Sequence, residues 1–240
     1  MRGIILAGGH GTRLRPATQI YNKHLVPILN NPMILYPLAT LKKLGIKDIL
    51  IITGGDAVGG FADFLGDGSE YGVNLTYKVQ KEAGGIAQAL GLAEDFAKNS
   101  EDVAVVLGDN IFDNKSIIVP ANYEKNRAVL FGKEVNDPER FGVMEVTKDG
   151  KVINIEEKPK NPKSNIAVTG LYIYPRDVFD IVKTLKPSAR GELEITDVNN
   201  HYIKNNRCLF VNLEGFWHDA GTPSSLFEVV KWVYENPNLW

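Results

Sequence analysis

The sequence has little of what several specialised protein classes depend on. Its 240 residues include one cysteine, Cys208, which excludes an intrachain disulfide framework and a cysteine-rich zinc site. No apolar run approaches the roughly 20 residues that a bilayer-spanning helix needs, and the apolar start Gly3–Ala7 is too short for a signal peptide. Internal repeats and low-complexity stretches are also missing. We therefore expect a cytoplasmic protein in which Cys208 is a small core residue.

An excess of charge of either sign is missing as well. The formal net charge is −2, so no global basic field holds nucleic acid or an anionic membrane surface. The hydrophobic content of 44% and the charged content of 23% are ordinary for a globular protein. Any anionic ligand must therefore be held by a local arrangement of cations and backbone N–H groups.

Short apolar runs alternate with helix-period segments in the first half of the chain. The predicted strands are Gly3–Ala7, Asp48–Thr53, Leu75–Gln80 and Val103–Leu107. One predicted helix has Asn31 as its cap and Pro32 in its first turn, and it ends at Gly45. A second predicted helix spans Ile86–Lys98. Strands that alternate with helices of this length predict a parallel sheet with right-handed crossovers.

The pattern changes near Ala128 to one typical of antiparallel strands. The predicted strands are Ala128–Val135, Gly142–Thr147, Lys151–Glu156 and Ile166–Tyr174, with the pair Asp149-Gly150 as a turn. The predicted helices lie near Arg176–Leu185, Glu194–Lys204 and Ser224–Glu235. We predict one Rossmann-like α/β domain, 1–240, with a mixed, mostly parallel central sheet and an antiparallel insertion. Its nucleotide-binding part covers about 1–127, and the part about 128–240 holds a second substrate.

A glycine-rich turn, Gly8–Arg13, follows the first strand directly. Its three glycines allow positive φ angles and can point successive N–H groups at an anion. Open α/β sheets bind ligands at this end of their strands. The Walker pattern needs Gly-Lys-Ser/Thr after the loop, and Gly11-Thr12-Arg13 stands there instead. Leu14 occupies the position where the dinucleotide fingerprint needs a third glycine, and Pro16 disfavours a long helix directly after the turn. A tight turn with solvated arginines is the plain alternative, but Arg13 and Lys23 together favour phosphate binding.

A series of motifs then runs in order along nearly the whole chain. They are Leu6–Pro16, Asn22–Pro27, Asn31–Ile34, Leu65–Gly68, Val79-Gln80, Gly84–Ala89, Leu107–Asn110, Asp137–Val143, Glu156–Pro159, Val168–Tyr172, Arg190–Asp197 and Trp217–Thr222. Taken together, they resemble the motifs of the sugar-phosphate nucleotidyltransferases. Such enzymes convert a nucleoside triphosphate and a sugar 1-phosphate to a nucleoside diphosphate sugar and pyrophosphate.

The resemblance implies dTTP and glucose 1-phosphate as substrates, Mg²⁺ as the metal, a homo-oligomer, and a sugar-binding role for the antiparallel insertion. It also accounts for the lack of a Ser-His-Asp arrangement. A phosphate monoester has its second pKa near about 6, so the attacking oxygen needs no strong base. An anion that attacks a polyanion needs positioning and charge neutralisation instead.

Site residues follow from the same resemblance. The catalytic residues are Arg13, Lys23, Asp109 and Asp219, and the last two would share Mg²⁺. The nucleotide-binding residues are Leu6, Ala7, Gly8, Gly9, Gly11, Thr12, Arg13, Lys23, Gln80, Gly85, Asp109 and Asn110. The sugar-phosphate-binding residues are Gly142, Glu157, Lys158, Val168 and Thr169. Within these sets, Gln80 and Gly85 would read the pyrimidine, Glu157 would bind sugar hydroxyls, and Lys158 would bind the phosphate.

Three departures from the family pattern stand out. His24 occupies a position where many members carry Gln, and Phe141 one where many carry Tyr. The chain also ends at Trp240, without the C-terminal helical tail of longer members, so we expect a short form in which feedback regulation is in doubt.

Alternative functions remain open at this point. The donor could be UTP or another nucleotide, because the phosphate-binding groups are indifferent to the base. A regulatory protein that binds a sugar nucleotide without catalysis is disfavoured by the joint presence of Arg13, Lys23, Asp109 and Asp219. A hydride-transfer enzyme is disfavoured by Leu14.

Overall fold

The computed structural model of the protein describes residues 1–9, 11–121, 123–148 and 150–237. Its strands are β1 Arg2–Ala7, β2 Pro27–Ile28, β3 Asn31–Pro32, β4 Asp48–Gly54, β5 Asn74–Gln80, β6 Asp102–Leu107, β7 Asn110–Phe112, β8 Ala128–Glu134, β9 Gly142–Val146, β10 Val152–Glu157, β11 Ile166–Pro175, β12 Cys208–Asn212 and β13 Trp217–Asp219. Its helices are α1 Leu35–Lys43, α2 Val58–Leu65, α3 Ile86–Gly91, α4 Val178–Thr184, α5 Ile195–Lys204 and α6 Pro223–Glu235. No helix in these ranges is long and apolar enough to cross a membrane.

The predicted α/β class with a mixed central sheet is confirmed. The chain forms two compact units, and neither is continuous in sequence. The first unit contains Met1–Ala83, Val106–Ile117 and the chain from Gly215 onward, and the second contains Gly84–Val105 and Ile118–Glu214. The functional division near residue 128 stays a prediction.

Parallel strands form the sheet of the first unit. β1 pairs with β4, Ile5 opposite Ile51, and β4 pairs with β5, Gly54 opposite Gln80. The central isoleucines of β1 and β4 are fully buried, as expected of parallel strands that are covered on both faces. The carboxyl ends of the three strands, where the glycine turn and Gln80 stand, therefore lie at one edge of the sheet.

The beginning of the first predicted helix is wrong. Asn31 and Pro32 form β3, which pairs antiparallel with β2, and α1 begins only at Leu35. Leu29, with φ of 52°, lies in the turn between the two short strands. Their pairing takes Asn31 and Pro32 into a hairpin, which a cap-plus-proline pattern does not reveal.

The second predicted helix is too long, because α3 covers only Ile86–Gly91 of the predicted Ile86–Lys98. Gly91 is a poor helix former, and a Cβ there would lie 3.1 Å from Val182 of α4. The sequence analysis also missed α2, whose Gly59-Gly60 pair is atypical of helices, and the strands β7, β12 and β13.

Strand β8 lies between β11 and β12 in the sheet of the second unit. It pairs antiparallel with β11 and parallel with β12, where Cys208 stands opposite Ala128. β9 pairs antiparallel with β10 and with β11. The antiparallel strands predicted for this region are confirmed, and Asp149 of the predicted turn lies outside the described residues. Cys208, predicted to lie in the core, is half-buried at the start of β12, and burial raises the pKa of its thiol to about 12.

Candidate active site

Three of the four predicted catalytic residues meet around Gly221 in the first unit. A Cβ on Gly221 would lie 2.8 Å from Nη2 of Arg13, 3.1 Å from Oδ2 of Asp219 and 3.4 Å from Oδ2 of Asp109. The fourth residue, Lys23, joins them because its Nζ lies 2.6 Å from Oδ2 of Asp109. Two cations and two carboxylates from distant parts of the sequence thus surround one small space, which the missing side chain of Gly221 leaves open.

The short strands β7 and β13 bring the two carboxylates together. They pair antiparallel, with Asp219 opposite Asn110, and the N–H of Ala220 donates to the Asp109 carbonyl at 2.7 Å. Apolar packing behind this pair of strands holds it in place. In that packing Phe216 stacks on Trp232 of α6 with ring centroids 4.2 Å apart.

Side chains around Asp109 hold its carboxylate in the ionised form. Burial alone would raise the pKa of Asp109, but the Lys23 ammonium and the hydrogen bonds from Lys23 and Asn110 hold this pKa well below its usual range. The Asn110 amide donates to Asp109 at 3.0 Å and accepts from the Trp217 indole at 2.7 Å. Asn110 is buried, so in the structure it positions Asp109, a link that the sequence analysis missed.

This carboxylate pair fits a hard divalent cation. Among the described residues, no group of three or more His, Cys, Asp and Glu side chains forms a metal site. Mg²⁺, however, needs few protein carboxylates and takes its other ligands from phosphate and water. Asp109 is ionised, Asp219 faces the same point, and the space at Gly221 is not filled by a side chain.

The glycine turn leads from β1 into this region. Leu6 and Ala7 end the strand as buried residues, and Gly9 and Gly11 have φ angles of 92° and 57°. Thr12 begins a 3₁₀ turn that ends at Leu14, so no long helix follows, as predicted. His10 lies outside the described residues.

A cavity of about 600 Å³ opens beside this turn in the first unit. Its wall includes Gly9 and Gln80, both predicted to bind nucleotide, and a Cβ on Gly8 would lie 2.6 Å from Oε1 of Gln80. The other lining residues are Arg15, Thr18, Gln19, Ile20, Tyr21, Asn22, Gly54, Gly55, Asp56, Ala57, Lys81 and Ala83. Most of them had no role predicted from the sequence. Arg15 could have been found, because it is the second cation of the glycine-turn motif.

Gly85 lies in the second unit and has a packing reason to be glycine. Its φ is 100°, and a Cβ there would lie 2.5 Å from the carbonyl oxygen of Leu193. Hydrogen bonds from Leu193 N–H to Gly84 and from Ala87 N–H to Leu193 fix this contact. Its predicted contact with the base stays a prediction.

The predicted sugar-phosphate residues all lie in the second unit. Gly142 of β9 stands opposite Glu157 of β10, and a Cβ on Gly142 would lie 3.3 Å from Oε2 of Glu157. Lys158 follows with φ of 46°, and its Nζ is 3.9 Å from Oε1 of Glu157. Strand pairing therefore places Gly142, Glu157 and Lys158 together.

Val168 and Thr169 lie on β11, where the register with β8 is irregular between Val168 and Tyr172. The hydroxyl of Thr169 is fully buried and donates to the Phe131 carbonyl at 2.9 Å. That hydroxyl therefore serves the packing of the sheet.

Arg190 joins Glu157 in a network that the sequence analysis did not identify. Its Nη2 lies 2.7 Å from Glu194, 3.5 Å from Glu192 and 3.7 Å from Glu157. Thr196 donates to Oε2 of Glu157 at 2.6 Å. Burial alone would raise the pKa of Glu194. The hydrogen bonds from Arg190 and Ser188 outweigh burial, so this pKa is lowered. The sequence signals were the charge density of Arg190–Glu194 and its place in the motif Arg190–Asp197.

Known proteins that are similar to this chain belong to one enzyme family. A family model described as nucleotidyl transferase matches residues 2–236. A glucose-1-phosphate thymidylyltransferase of Neisseria meningitidis is 45% identical over 100% of this chain and 84% of its own length. One of Mycobacterium tuberculosis is 44% identical over 97% of this chain and 82% of its own length.

Solved structures show the same fold. A Bacillus anthracis protein assigned to the glucose-1-phosphate thymidylyltransferases, in complex with sucrose, is 48% identical, with a TM-score of 0.87 over 97% of this chain and 94% of that one. A UDP-glucose pyrophosphorylase with UDP-glucose has a TM-score of 0.82 at 23% identity over 98% of both chains. At that identity the likeness concerns the fold alone.

Proposed function

The chain belongs to the nucleotidyl transferase family and, within it, to the glucose-1-phosphate thymidylyltransferases, and we propose that Arg13, Lys23, Asp109 and Asp219 carry out its reaction. An enzyme of this type transfers the thymidylyl group of dTTP to α-D-glucose 1-phosphate and releases dTDP-glucose and pyrophosphate. The observation that carries the residue assignment is the convergence of these four side chains around Gly221.

Charge neutralisation is the main task that these residues would perform. Arg13 would bind the departing pyrophosphate, and Lys23 would bind both phosphoryl groups beside the reacting phosphorus. The side chains of Lys23 and Asp109 are only 13% and 14% exposed, so charges act more strongly there than in bulk water. Donors that are already in place need no reorganisation during the transfer.

Asp109 and Asp219 would hold the metal. Members of the family use a divalent ion, and we assign Mg²⁺ because both ligands are carboxylate oxygens. When bound, Mg²⁺ supplies further positive charge to the phosphate oxygens. The Lys23 ammonium and the Asn110 amide orient the Asp109 carboxylate.

The second unit would supply the acceptor site. Glu157 would accept hydrogen bonds from sugar hydroxyls, with Thr196 fixing its orientation, and Lys158 would bind the phosphate. Gly142 leaves room beside the Glu157 carboxylate because it has no side chain.

A pyrophosphate-release assay that crosses all NTPs and dNTPs with several sugar 1-phosphates tests this function. We expect dTTP to be preferred and UTP to be weaker but accepted, because Gln80 can pair with the edge of a pyrimidine. One methyl group in an apolar pocket is worth about 1–3 kcal/mol, so the preference should be moderate. Equal efficiency with ATP or GTP would contradict the assignment of the base, and no pyrophosphate release with any pair would contradict the function.

A homo-oligomer and a cytoplasmic location remain proposals that rest on the family resemblance and on the composition. Sedimentation of the purified protein measures the first, and fractionation of cells measures the second.

A further inference from the structure

His24 is a buried polar residue near the catalytic centre, with 1% of its surface exposed. Its ring Nδ1 lies 2.9 Å from Oδ1 of Asn22, and the same oxygen accepts the backbone N–H of His24 at 2.9 Å. The ring also makes a hydrogen bond with the backbone of Ala7, at the carboxyl end of β1. Its other edge covers Gly108, where a Cβ would lie 2.6 Å from Cδ2 of His24.

These contacts link the two segments that carry the ion pair. Lys23 precedes His24 in one 3₁₀ turn, which Asn22 caps, and Asp109 follows Gly108. The N–H of Gly108 in turn donates to the Leu6 carbonyl of β1 at 2.9 Å. The imidazole therefore lies between the turn that bears Lys23 and the segment that bears Asp109.

The imidazole ring of His24 is uncharged in this position. Burial, reinforced by the neighbouring Lys23 ammonium, lowers the pKa of His24 to about 3. A neutral ring has one N–H to donate, so it contributes one donated hydrogen bond and its shape without a third positive charge beside Lys23 and Arg13.

We propose that His24 is a positioning residue, which uses its contacts with Asn22, Ala7 and Gly108 to hold the Lys23 ammonium against Asp109. The proposal rests on the proposed function in one respect, because Lys23 must serve the transfer. A packing residue would contribute stability only, whereas a positioning residue also sets the orientation of Lys23.

Two measurements test this role, and one of them needs no substrate. The first is the acetylation rate of Lys23 by acetic anhydride, followed by mass spectrometry with the exposed Lys47 as internal reference. We expect Lys23 to react faster in His24→Leu than in wild type, because its pairing with Asp109 is loosened. His24→Gln should restore the slow rate, since a glutamine amide donates hydrogen bonds from a side chain of similar reach.

The second measurement is steady-state kinetics in a cycle with Lys23→Ala. A misplacement near 1 Å lowers turnover by up to about 100-fold, so we expect kcat of His24→Leu to fall about 10- to 100-fold, with KM for dTTP little changed. In the Lys23→Ala background the same substitution should have little further effect, because the group that it positions is gone.

Thr40→Val is the matched control. Thr40 is equally buried in the same unit and donates to Asn114 at 2.8 Å. We expect this variant to lose stability while keeping a wild-type kcat and a slow Lys23 acetylation.

Either of two results would overturn the role of His24. One is a wild-type rate of Lys23 acetylation in His24→Leu, and the other is a double variant whose loss of kcat is the full product of the two single losses. If His24→Leu does not fold, Asn22→Ala decides, since it removes the side-chain oxygen that both the backbone N–H and the ring Nδ1 of His24 contact; unchanged Lys23 reactivity then overturns the proposal. If wild type releases no pyrophosphate, the proposed function fails, and the acetylation rates still test His24.

Discussion

The charged groups of Lys23 and Asp109 in the first unit are nearly buried, whereas those of Arg190 and Glu157 in the second unit are more open to water. The side chains of Lys23 and Asp109 are 13% and 14% exposed, against 42% and 27% for Arg190 and Glu157. Charges interact strongly where solvent is excluded, and exposed ion pairs contribute little. Loss of a charge in the first unit should therefore lower turnover, and in the second unit it should weaken substrate binding.

The largest effect should come from the two carboxylates at Gly221. Asp109→Asn and Asp219→Asn keep size but each removes one charge, and we expect turnover to fall by about three orders of magnitude, since a bound metal supplies several kcal/mol. Because both would act through one ion, the double variant should lose little more than either single variant. The measurement is turnover against Mg²⁺ concentration for all four proteins. Losses that simply add would assign the two carboxylates separate roles.

Lys23→Ala should have the next largest effect, a loss of about two orders of magnitude in kcat with a smaller change in dTTP binding. The lysine would stabilise charge mainly in the transition state. Removing it also leaves the buried Asp109 without its cation, so thermal unfolding must be measured alongside the kinetics. Lys81, on the wall of the cavity, is the comparison cation, and Lys81→Ala should keep a higher kcat than Lys23→Ala. Near-normal turnover of Lys23→Ala would show that Lys23 serves its ion pair with Asp109 and not the transfer.

Glu157→Gln tests the second unit. A hydrogen bond to a charged group is worth about 1.5–3 kcal/mol, and partial exposure reduces this. We therefore expect KM for glucose 1-phosphate to rise about tenfold, with kcat little changed. Glu192→Gln is the control, because its carboxylate also faces Arg190, at 3.5 Å, but was assigned no substrate. If kcat of Glu157→Gln fell as far as that of Lys23→Ala, the expected contrast, turnover in the first unit and substrate binding in the second, would be wrong.

The smallest effect should be one of stability alone. Thr222 caps α6 through a reciprocal pair of bonds with Ser225, so Thr222→Ala should lower the free energy of unfolding by about 1 kcal/mol. Urea unfolding measures this, with Glu228→Ala, an exposed position on the same helix, as the control. Mg²⁺ dependence should stay at the wild-type value, and a change there would show that the cap also sets the position of Asp219.

The strands with long apolar runs could be predicted from the sequence, because burial on both faces leaves a local pattern that needs no knowledge of partners. That no long helix follows the glycine turn was also predicted correctly, since the cause, Pro16, lies within a few residues. The helix start predicted at Asn31–Pro32 was wrong because pairing with Pro27–Ile28, and not a local capping pattern, decides the conformation of these residues. The roles of Arg13, Lys23, Asp109 and Asp219 came from family motifs and not from periodicity.

Only the tertiary structure decided which partners these side chains have. The chain Trp217–Asn110–Asp109–Lys23 joins three stretches of sequence, and nothing local to Asn110 marks it as a support for Asp109. Arg190 and Thr196 likewise reach Glu157 only through folding. Local sequence determines which residues can form a strand, a turn or a cap, because those energies arise between near neighbours. Burial, ionisation and hydrogen-bond partners depend on groups that are remote in the chain, so they exist only once the fold has brought those groups together.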